Sequence, residues 1–530
     1  MRRRRWTVVG AAAVTVAGLL AGCGIEEPVP GGAPVSPTDT AVQPDRAAGV
    51  DIPDGRVEHI LGRVEQRARE LMDVSGIPGM AVAVVHNGEV VFSEGFGVRE
   101  VGTEQAVDAN TVFQLASLSK PVGATVVARQ VAAGAVGWDT PVRQLAPWFA
   151  LRDPYVSDAV TVGDLYAHRS GLPDHAGDML EDLGFDRAAV LHRLRLLPLG
   201  PFRDSYEYTN FGLTAAATAV AEAARLDWAD LSKREIYEPL GMGATSSRYA
   251  DFVAAPDRAV GHVRVDDSYR RAEPARQPDA QSPAGGVSSS VADMARWMTM
   301  MLGDGTFEGR PVVAPEALLP AVSPQAVSSP PTAPDARSGA YGFGFNVGTS
   351  AAGRVVLSHS GAFNAGAATA LTLIPSADVG IVTLTNAAPI GVPETLNAEF
   401  ADLVQFGEIR QDWWGLYREA FAGIEAPTGE LVGKTPPPAP APAGPLDGYA
   451  GVYGNEYFGP AEVAVEGERL LLTLGPGKVT VPLQHWDGDT FVFMPSGEAA
   501  NPGTVSQARF DGDRLWLEFY DADGCGTFVR

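Results

Sequence analysis

Apolar residues recur at helical or strand spacing along most of the chain, and the strands they predict fall into two separate groups. Near the start, one face of a predicted helix over residues 55–72 is apolar, and residues 80–85 and 90–96 form a predicted hairpin. A second helix is predicted over residues 392–406. It follows three closely spaced predicted strands: 354–360, 367–374 and 379–386.

The segment between these groups has a different pattern. Residues 122–318 have mostly helical spacing interrupted by Pro and Gly, and residues 321–338 predict a loop rich in Ser, Pro and Ala. We therefore expect one antiparallel sheet built from both ends of this part of the chain, flanked by helices, with a helical subdomain beside it. This is an α/β (α+β) fold, and the site is expected in the crevice between sheet and subdomain.

The chain changes character after the second group of elements. Residues 426–445 include the run Pro436-Pro437-Pro438-Ala439-Pro440, which predicts an extended linker. Short strands and tight turns follow, which is typical of a small all-β barrel or sandwich. The expected organisation is a main domain over residues 51–425, the Pro-rich linker, and a C-terminal β-domain over residues 446–530.

The first residues predict export. Arg2 to Arg5 form a basic stretch, and the apolar residues 7–20 are too few to span a bilayer. Leu20-Ala21-Gly22-Cys23 resembles the lipobox of bacterial lipoproteins, which are cut just before a lipidated cysteine. We expect a lipoprotein signal peptide over residues 1–22, lipidation of Cys23 and a flexible tether over residues 23–50. The expected location is the bacterial cell envelope, extracytoplasmic and lipid-anchored to the membrane, with Sec and Tat export both open.

Composition narrows the possible partners. A net charge of −24 and a pI near 4.7 argue against nucleic-acid binding. Apart from Cys23 the chain has one cysteine, Cys525, which we expect to be structural. The sequence contains no His-x-x-x-His pair, no Cys/His cluster and no glycine-rich phosphate loop, so neither a metal nor a cofactor is expected.

Ser117 and Lys120 form the first candidate for chemistry. They lie three residues apart at a predicted helix start, so their side chains share one face. The chain has only four lysines among its 40 basic residues, and a lysine amine can lose its proton whereas an arginine cannot. The pattern indicates a serine nucleophile beside a titratable amine. Taken alone, it also fits a helix start with a solvated lysine.

Two further segments supply candidate partners for this serine. Tyr208 and Asn210 lie two residues apart just before a predicted helix, so both side chains can point to one side. His359, Ser360 and Gly361 lie at the end of a predicted strand, where a glycine lets a substrate approach the backbone. Either segment alone is weak evidence for a site.

Together, and in this order, the three segments resemble the motifs of the penicillin-recognising serine hydrolases. That family includes class C β-lactamases, D-alanyl-D-alanine carboxypeptidases, D-aminopeptidases and related esterases. Ser117–Lys120 matches its Ser-x-x-Lys motif, Tyr208–Asn210 its Tyr-x-Asn motif and His359–Gly361 its Lys/His-Ser/Thr-Gly motif. The resemblance covers about residues 55–410, and residues 446–530 are similar to a small β-domain appended to many such enzymes.

The resemblance implies a two-step mechanism. Ser117 attacks a carbonyl and forms an acyl-enzyme, while Lys120 and Tyr208 share the proton, and water then releases the acyl group. The backbone N–H groups of Ser117 and Ala362 form the implied oxyanion hole. Asn210 orients Lys120 or a substrate amide. Whether Lys120 or Tyr208 is the general base stays open, because the two groups titrate as a coupled pair.

One departure from the family affects the expected substrate. Many relatives carry Lys where this chain has His359, and a histidine is largely neutral at pH 7. This weakens the case for substrates with a free carboxylate and favours esters or other amides. With Asn210, Ser360 and Gly361, His359 belongs to the implied substrate-binding residues. A role as hydrogen-bond donor to Tyr208 is the alternative for this histidine.

The remaining motifs receive structural interpretations. The run from His168 to Pro173 resembles a loop signature of the family and is expected to be structural, and His175 is given no functional role. The Trp413–Trp414 pair is expected to pack in the core or against a domain interface.

The expected protein is thus a serine hydrolase that acts on an ester, amide or peptide bond of a small molecule or peptide in the cell envelope. A β-lactamase or D-alanyl-D-alanine carboxypeptidase proper is the alternative within the family. A non-catalytic protein that binds cell-wall fragments is the alternative of another class. The set of Ser117, Lys120 and Tyr208 argues against this last alternative, because a receptor has no need of the amine.

Overall fold

A computed structural model describes residue 43, residues 45–266 and residues 268–530. The predicted signal peptide, Cys23 and most of the predicted tether therefore lie outside the described residues. At the near end of the tether, the Gly49 N–H donates to the Ala352 carbonyl at 2.8 Å, so the last residues of this segment contact the main domain. Within the described residues, no helix is both long and apolar enough to cross a bilayer.

The main domain contains one antiparallel sheet of eight strands. In chain order these are β1 (Gly79–His86), β2 (Glu89–Gly97), β3 (Ala326–Ser329), β4 (Gly339–Tyr341), β5 (Asn346–Thr349), β6 (Val355–Phe363), β7 (Ala367–Ile374) and β8 (Val379–Thr385). The spatial order is β2-β1-β8-β7-β6-β5-β4-β3, so strands from the two ends of the domain meet where β1 pairs with β8. The predicted fold class is confirmed.

Helices surround this sheet and fill the segment between β2 and β3. They are α1 (Arg56–Ser75), α2 (Ser119–Ala132), α3 (Val142–Leu145), α4 (Pro154–Ala159), α5 (Val162–Tyr166), α6 (Asp178–Asp182), α7 (Arg187–Arg193), α8 (Asn210–Ala223), α9 (Trp228–Ser232), α10 (Glu238–Leu240), α11 (Tyr249–Ala254), α12 (Ser282–Gly285), α13 (Val291–Leu302), α14 (Pro315–Leu318), α15 (Val392–Phe406) and α16 (Trp413–Ile424). Short strand pairs join Phe113–Gln114 to Ser288–Ser289, His262–Val265 to Ser268–Arg271 and Thr306–Phe307 to Arg310–Pro311.

The five strands expected from the sequence are present, each within a few residues of its predicted bounds. The strands β3, β4 and β5 were not predicted, and residues 321–338 are wrongly described as a loop because β3 lies inside them. These three strands have only three or four residues each, too few to show a periodic pattern. They extend the sheet beyond β6 on the side of the crevice.

Strand β1 explains why both faces of the sheet are covered. Its side chains alternate, so Met80, Val82 and Val84 pack in the core beneath α1 and α15. Ala81 and Ala83 point into the larger core shared with the helical subdomain. A strand buried on both faces is apolar throughout, as the sequence between residues 80 and 85 is.

Helix α2 lies inside the helical subdomain. Eleven of its 14 residues are buried, Lys120 among them, and α8, α12 and α14 pack around it. A helix buried on nearly all sides is held by its neighbours. The helix that begins beside Ser117 is therefore fixed by the helices around it.

The C-terminal residues form a nearly closed antiparallel barrel. Its strands are β9 (Gly451–Tyr453), β10 (Ala461–Glu466), β11 (Arg469–Leu474), β12 (Val479–Asp487), β13 (Thr490–Phe493), β14 (Ser506–Asp511), β15 (Arg514–Leu517) and β16 (Thr527–Val529). Two backbone hydrogen bonds between Gly454 and Val529, at 2.7 and 2.9 Å, join the two ends of the sheet. The rings of Tyr449, Phe491 and Phe510 pack together in its core.

The segment predicted as a linker runs along the barrel. The Thr428 carbonyl accepts from the Val505 N–H at 3.1 Å, and the Ala441 N–H donates to Asp487 at 2.7 Å. The barrel in turn contacts the helical subdomain, where the Tyr457 hydroxyl accepts from the Gly177 N–H at 3.1 Å. This contact places one end of the barrel over α6.

Candidate active site

Ser117 lies in a tight turn between the sheet and helix α2. The turn is a short 3-10 helix, Ala116–Leu118, and Ala116 has a φ of 48°, a left-handed conformation that residues with a side chain rarely adopt. The preceding residue, Leu115, is held on both sides: its N–H donates to Val287 at 2.8 Å and its carbonyl accepts from Thr369 at 2.8 Å. Strained backbone of this kind persists only where its surroundings enforce it, and it is concentrated at functional sites.

Two predicted partners reach the hydroxyl of Ser117. Lys120 Nζ donates to Ser117 Oγ at 3.0 Å, and the Tyr208 hydroxyl donates to the same oxygen at 2.8 Å. The structure thus brings Tyr208 from a separate segment of the sequence against the Ser117–Lys120 pair. Both distances suit direct proton transfer.

The amine of Lys120 is fully buried. It donates to Asn210 Oδ1 at 2.7 Å and to the Ala284 carbonyl at 3.0 Å, and it lies 4.5 Å from the centre of the Tyr208 ring. Burial lowers the pKa of Lys120 to about 7, although the nearby charge of Asp178 acts in the opposite direction. Near neutral pH a large share of this amine is therefore uncharged and able to accept a proton.

The phenol of Tyr208, unlike the amine of Lys120, keeps its proton at neutral pH. Burial raises the pKa of Tyr208 far above its ordinary value, and the hydrogen bond to Ser117 only partly opposes this. The phenol consequently stays protonated at neutral pH and serves as a hydrogen-bond donor. The two partners of Ser117 are thus a potential base and a potential acid.

A hydrogen-bond chain leads from Lys120 to a carboxylate. Asn210 Nδ2 donates to Asp178 Oδ2 at 2.8 Å, and His175 Nδ1 lies 2.7 Å from the same oxygen. Asn210 therefore orients Lys120, as the resemblance implies. Asp178 was not recognised from the sequence, because nothing in the local pattern distinguishes it from other acids.

On the sequence alone, His175 has no functional role and the loop that begins at His168 has a structural one. Both residues contact the phenol of Tyr208, so this interpretation is incomplete. The His168 ring packs 4.6 Å from that of Tyr208, and the His175 ring packs 5.6 Å from it on another side. His168 Nδ1 also accepts from the Thr209 N–H at 3.1 Å. The two histidines thus hold the phenol in place. The resemblance of the His168 loop to a family signature was the available signal.

His359 is not positioned as either interpretation expected. Its Nε2 lies 2.8 Å from the Tyr341 hydroxyl and its Nδ1 lies 2.7 Å from the Ser360 carbonyl, so the proposed donation to Tyr208 is wrong. The ring is 1% exposed, and burial together with Lys120 lowers its pKa to about 3. His359 is therefore a neutral residue behind the site, out of reach of a substrate in this structure.

Ser360 also points away from the crevice. Successive side chains of a strand alternate between faces, and the Ser360 hydroxyl hydrogen-bonds the buried Glu394 of α15 instead. Of the strand residues implied in substrate binding, only Gly361 contacts the turn that carries Ser117.

Gly361 allows β6 to approach the nucleophile. A Cβ atom at this position would lie 2.3 Å from the Leu115 carbonyl oxygen and 3.0 Å from the Ser117 nitrogen. The next residue, Ala362, lines the same cavity as Ser117. This places Ala362 beside Ser117, as the oxyanion hole implied by the resemblance requires, and the role of their N–H groups stays a prediction.

The cavity beside Ser117 lies in the crevice between the sheet and the helical subdomain and has a volume of about 80 Å³. The C-terminal barrel covers it. The barrel residues that line it are Tyr457, Phe458, Glu498, Ala499, Tyr520, Ala522, Asp523 and Cys525. No group of three or more potential metal ligands occurs in the described part of the chain.

A serine between a titratable lysine and a buried tyrosine, in a crevice beside an antiparallel sheet, defines the class of serine hydrolases. The comparisons with known proteins agree. The family profile described as "Beta-lactamase" matches residues 64–406, and that described as "Domain of unknown function (DUF3471)" matches residues 435–524. The chain belongs to the β-lactamase family, and its C-terminal barrel carries the DUF3471 match.

Named relatives align with the main domain alone or with both domains of this chain. Unguisins hydrolase ungD of Aspergillus violaceofuscus is 26% identical over 534 residues, covering 90% of this chain and 94% of that protein. D-alanyl-D-alanine-carboxypeptidase/endopeptidase AmpH of Escherichia coli is 26% identical over 250 residues, covering 46% of this chain and 63% of AmpH. The octameric penicillin-binding protein homologue from Pyrococcus abyssi has the same fold, with a TM-score of 0.58, 19% identity, and coverage of 89% of this chain and 100% of that chain.

Replacing Gly361 with alanine tests the close approach of β6 to Ser117. We expect Gly361→Ala to lower kcat/KM at least about 100-fold, because the added methyl displaces the nucleophile turn. The measurement is hydrolysis of a p-nitrophenyl ester. Gly348→Ala is the matched control, since its Cβ meets no atom within 4 Å. Full activity of Gly361→Ala would contradict this account of the turn.

Proposed function

We propose that this serine hydrolase cleaves an ester, amide or peptide bond through an acyl-enzyme on Ser117. The observation that carries the proposal is the contact of the Ser117 hydroxyl with the buried amine of Lys120 at 3.0 Å and the phenol of Tyr208 at 2.8 Å. A protein that only bound wall fragments would gain nothing from burying an amine there, and the family membership supports an enzyme.

In the proposed mechanism Lys120 is the general base. Its uncharged amine takes the Ser117 proton as Oγ forms a bond to the substrate carbonyl carbon, and the backbone N–H groups of Ser117 and Ala362 stabilise the oxyanion. The protonated phenol of Tyr208 donates its proton to the leaving group and regains one from Lys120. Water then attacks the acyl carbon and gives a proton to the uncharged Lys120, the bond from the acyl carbon to Ser117 Oγ breaks, and Oγ regains a proton from Lys120.

The proposed substrate is an ester or an amide without a free carboxylate at the reaction site. His359 is neutral and buried, so it cannot supply the cation that a carboxylate requires. The relatives named as an unguisins hydrolase and as a carboxypeptidase/endopeptidase support an amide or peptide bond. The sequence before residue 43 supports a cell-envelope location with a lipid anchor at Cys23.

Labelling tests the nucleophile directly. We expect a fluorophosphonate probe to label the protein and p-nitrophenyl esters to be hydrolysed, with both reactions lost in Ser117→Ala because the attacking oxygen is gone. Ser376→Ala is the control, since Ser376 is exposed and lies outside the crevice. Labelling that persists in Ser117→Ala would assign the nucleophile elsewhere.

The pH dependence tests the base. We expect kcat/KM to rise with pH through about 7 and then level off, because Lys120 accepts a proton only when uncharged. Lys120→Arg should lose about 10²–10⁴-fold in activity at every pH, because arginine stays protonated. Lys233→Arg, which alters an exposed lysine, is the control. A rising limb that survives in Lys120→Arg would show that another group is the base.

Turnover of β-lactams tests the role of His359. We expect a cephalosporin to be hydrolysed with a kcat/KM at least about tenfold below that of a p-nitrophenyl ester, because no charged residue replaces the lysine of many relatives. Rapid cephalosporin hydrolysis in a chromogenic assay would contradict this expectation.

A further inference from the structure

Carboxyl groups outnumber cations around the cavity beside Ser117. Within the described part of the chain, one arginine, Arg276, lines it together with six acids. These acids are Asp174, Asp178, Glu181, Asp182, Glu498 and Asp523. The mechanism proposed above uses only Asp178, through Asn210. The other carboxyl groups need a separate explanation, because gathering like charges in a partly buried site is unfavourable.

Arg276 contacts two of the six acids. Its guanidinium donates to Glu181 Oε2 at 2.5 Å and lies 3.9 Å from Glu498. Asp182 is likewise engaged, because it accepts from the backbone N–H groups of Glu498 and Ala499 at 3.0 and 2.8 Å. These contacts attach the barrel to α6 and are structural.

Two carboxylate oxygens on α6 are left without partners. Asp178 Oδ1 and Glu181 Oε1 are buried and accept no hydrogen bond from any described residue. The Glu181 side chain is only 6% exposed. The two residues lie three apart on α6, so their carboxylates face the same part of the cavity. Buried acceptors are nearly always satisfied in folded proteins, so these two oxygens indicate a missing donor.

A third carboxylate approaches from the barrel. Asp523 is partly buried and lines the same cavity. The charged groups that act on it are all acids, namely Asp174, Asp521 and Glu207, and with burial they raise the pKa of Asp523 to about 6. This carboxylate is therefore positioned where a bound cation would stabilise it.

The chemistry of the missing donor follows from these acceptors. Several acceptors surrounded by acids favour a positively charged group with several N–H donors, and a primary ammonium group has three donors and no acceptor. An anionic ligand would be repelled. Resting on the function proposed above, we propose that Asp178, Glu181 and Asp523 bind a primary ammonium group of the substrate, so that Ser117 acts on esters or amides that carry an amine.

The proposal assigns a role to the C-terminal barrel. The barrel supplies Asp523, one of the three carboxylates, and it covers the cavity that contains the other two. The barrel thus selects the substrate, while the main domain supplies the chemistry.

Two matched pairs of substrates test the proposal with the full chain. For an amine on the acyl side, alanine p-nitroanilide is compared with N-acetylalanine p-nitroanilide in both D and L forms. For an amine on the leaving-group side, 4-(aminomethyl)phenyl acetate is compared with 4-(hydroxymethyl)phenyl acetate. We expect the amine-bearing member of at least one pair to have a kcat/KM about tenfold or more above its neutral counterpart.

The variants are Asp523→Asn and Asp523→Ser, with Asp513→Asn as the matched control at an exposed turn of the same barrel. The preference for the amine should fall in both Asp523 variants and persist in the control. Equal rates within both pairs, or a preference unchanged in the Asp523 variants, would overturn the proposal even if Ser117 is labelled normally.

A binding measurement tests the ammonium site independently of the proposed catalytic function. Benzylamine, which is protonated at neutral pH, is titrated against the Ser117→Ala variant, with benzyl alcohol as the neutral counterpart. Benzylamine should bind more tightly than benzyl alcohol, and this difference should be lost when Asp523→Asn is added. That result supports the ammonium site whether or not Ser117 proves to be the nucleophile. Equal binding of the two probes overturns it.

Discussion

Burial of the Lys120 amine is the constraint on which the rest of the structure depends. A charged amine inside a protein is costly, and here a side-chain amide, a backbone carbonyl and an aromatic face offset part of that cost. Burial outweighs the opposing charge of Asp178 and lowers the pKa of Lys120 to about 7. The buried helix α2, the helices packed around it and the strained turn at Ala116 all hold the amine against Ser117 and away from water.

The parts that could be predicted from the sequence are those with a local signal. A strand pattern is visible over seven to nine residues, so β1, β2, β6, β7 and β8 could be predicted, whereas β3 to β5 are too short to show one. Ser117, Lys120, Tyr208 and Asn210 could be named because each lies in a recognisable motif, and the structure brings all four together.

The parts that could not be predicted depend on how distant segments meet. His168 and His175 contact Tyr208 because their loop turns back twice through left-handed residues, for which neither histidine is a typical choice. His359 and Ser360 match a motif, but their contacts depend on which face of the strand lies toward the crevice. The motif does not indicate that face. The position of the barrel over the cavity depends on the surface of α6, to which no sequence pattern pointed.

The register of the central strands has a consequence for biogenesis. Met80 of β1 pairs with Thr385 of β8, so the hydrogen-bonding edge of an early, wholly apolar strand has no partner until almost the entire main domain has been synthesised. Such long-range pairing slows folding and exposes an aggregation-prone edge. The nascent chain should therefore depend on chaperones that shield the first hairpin until the late strands emerge.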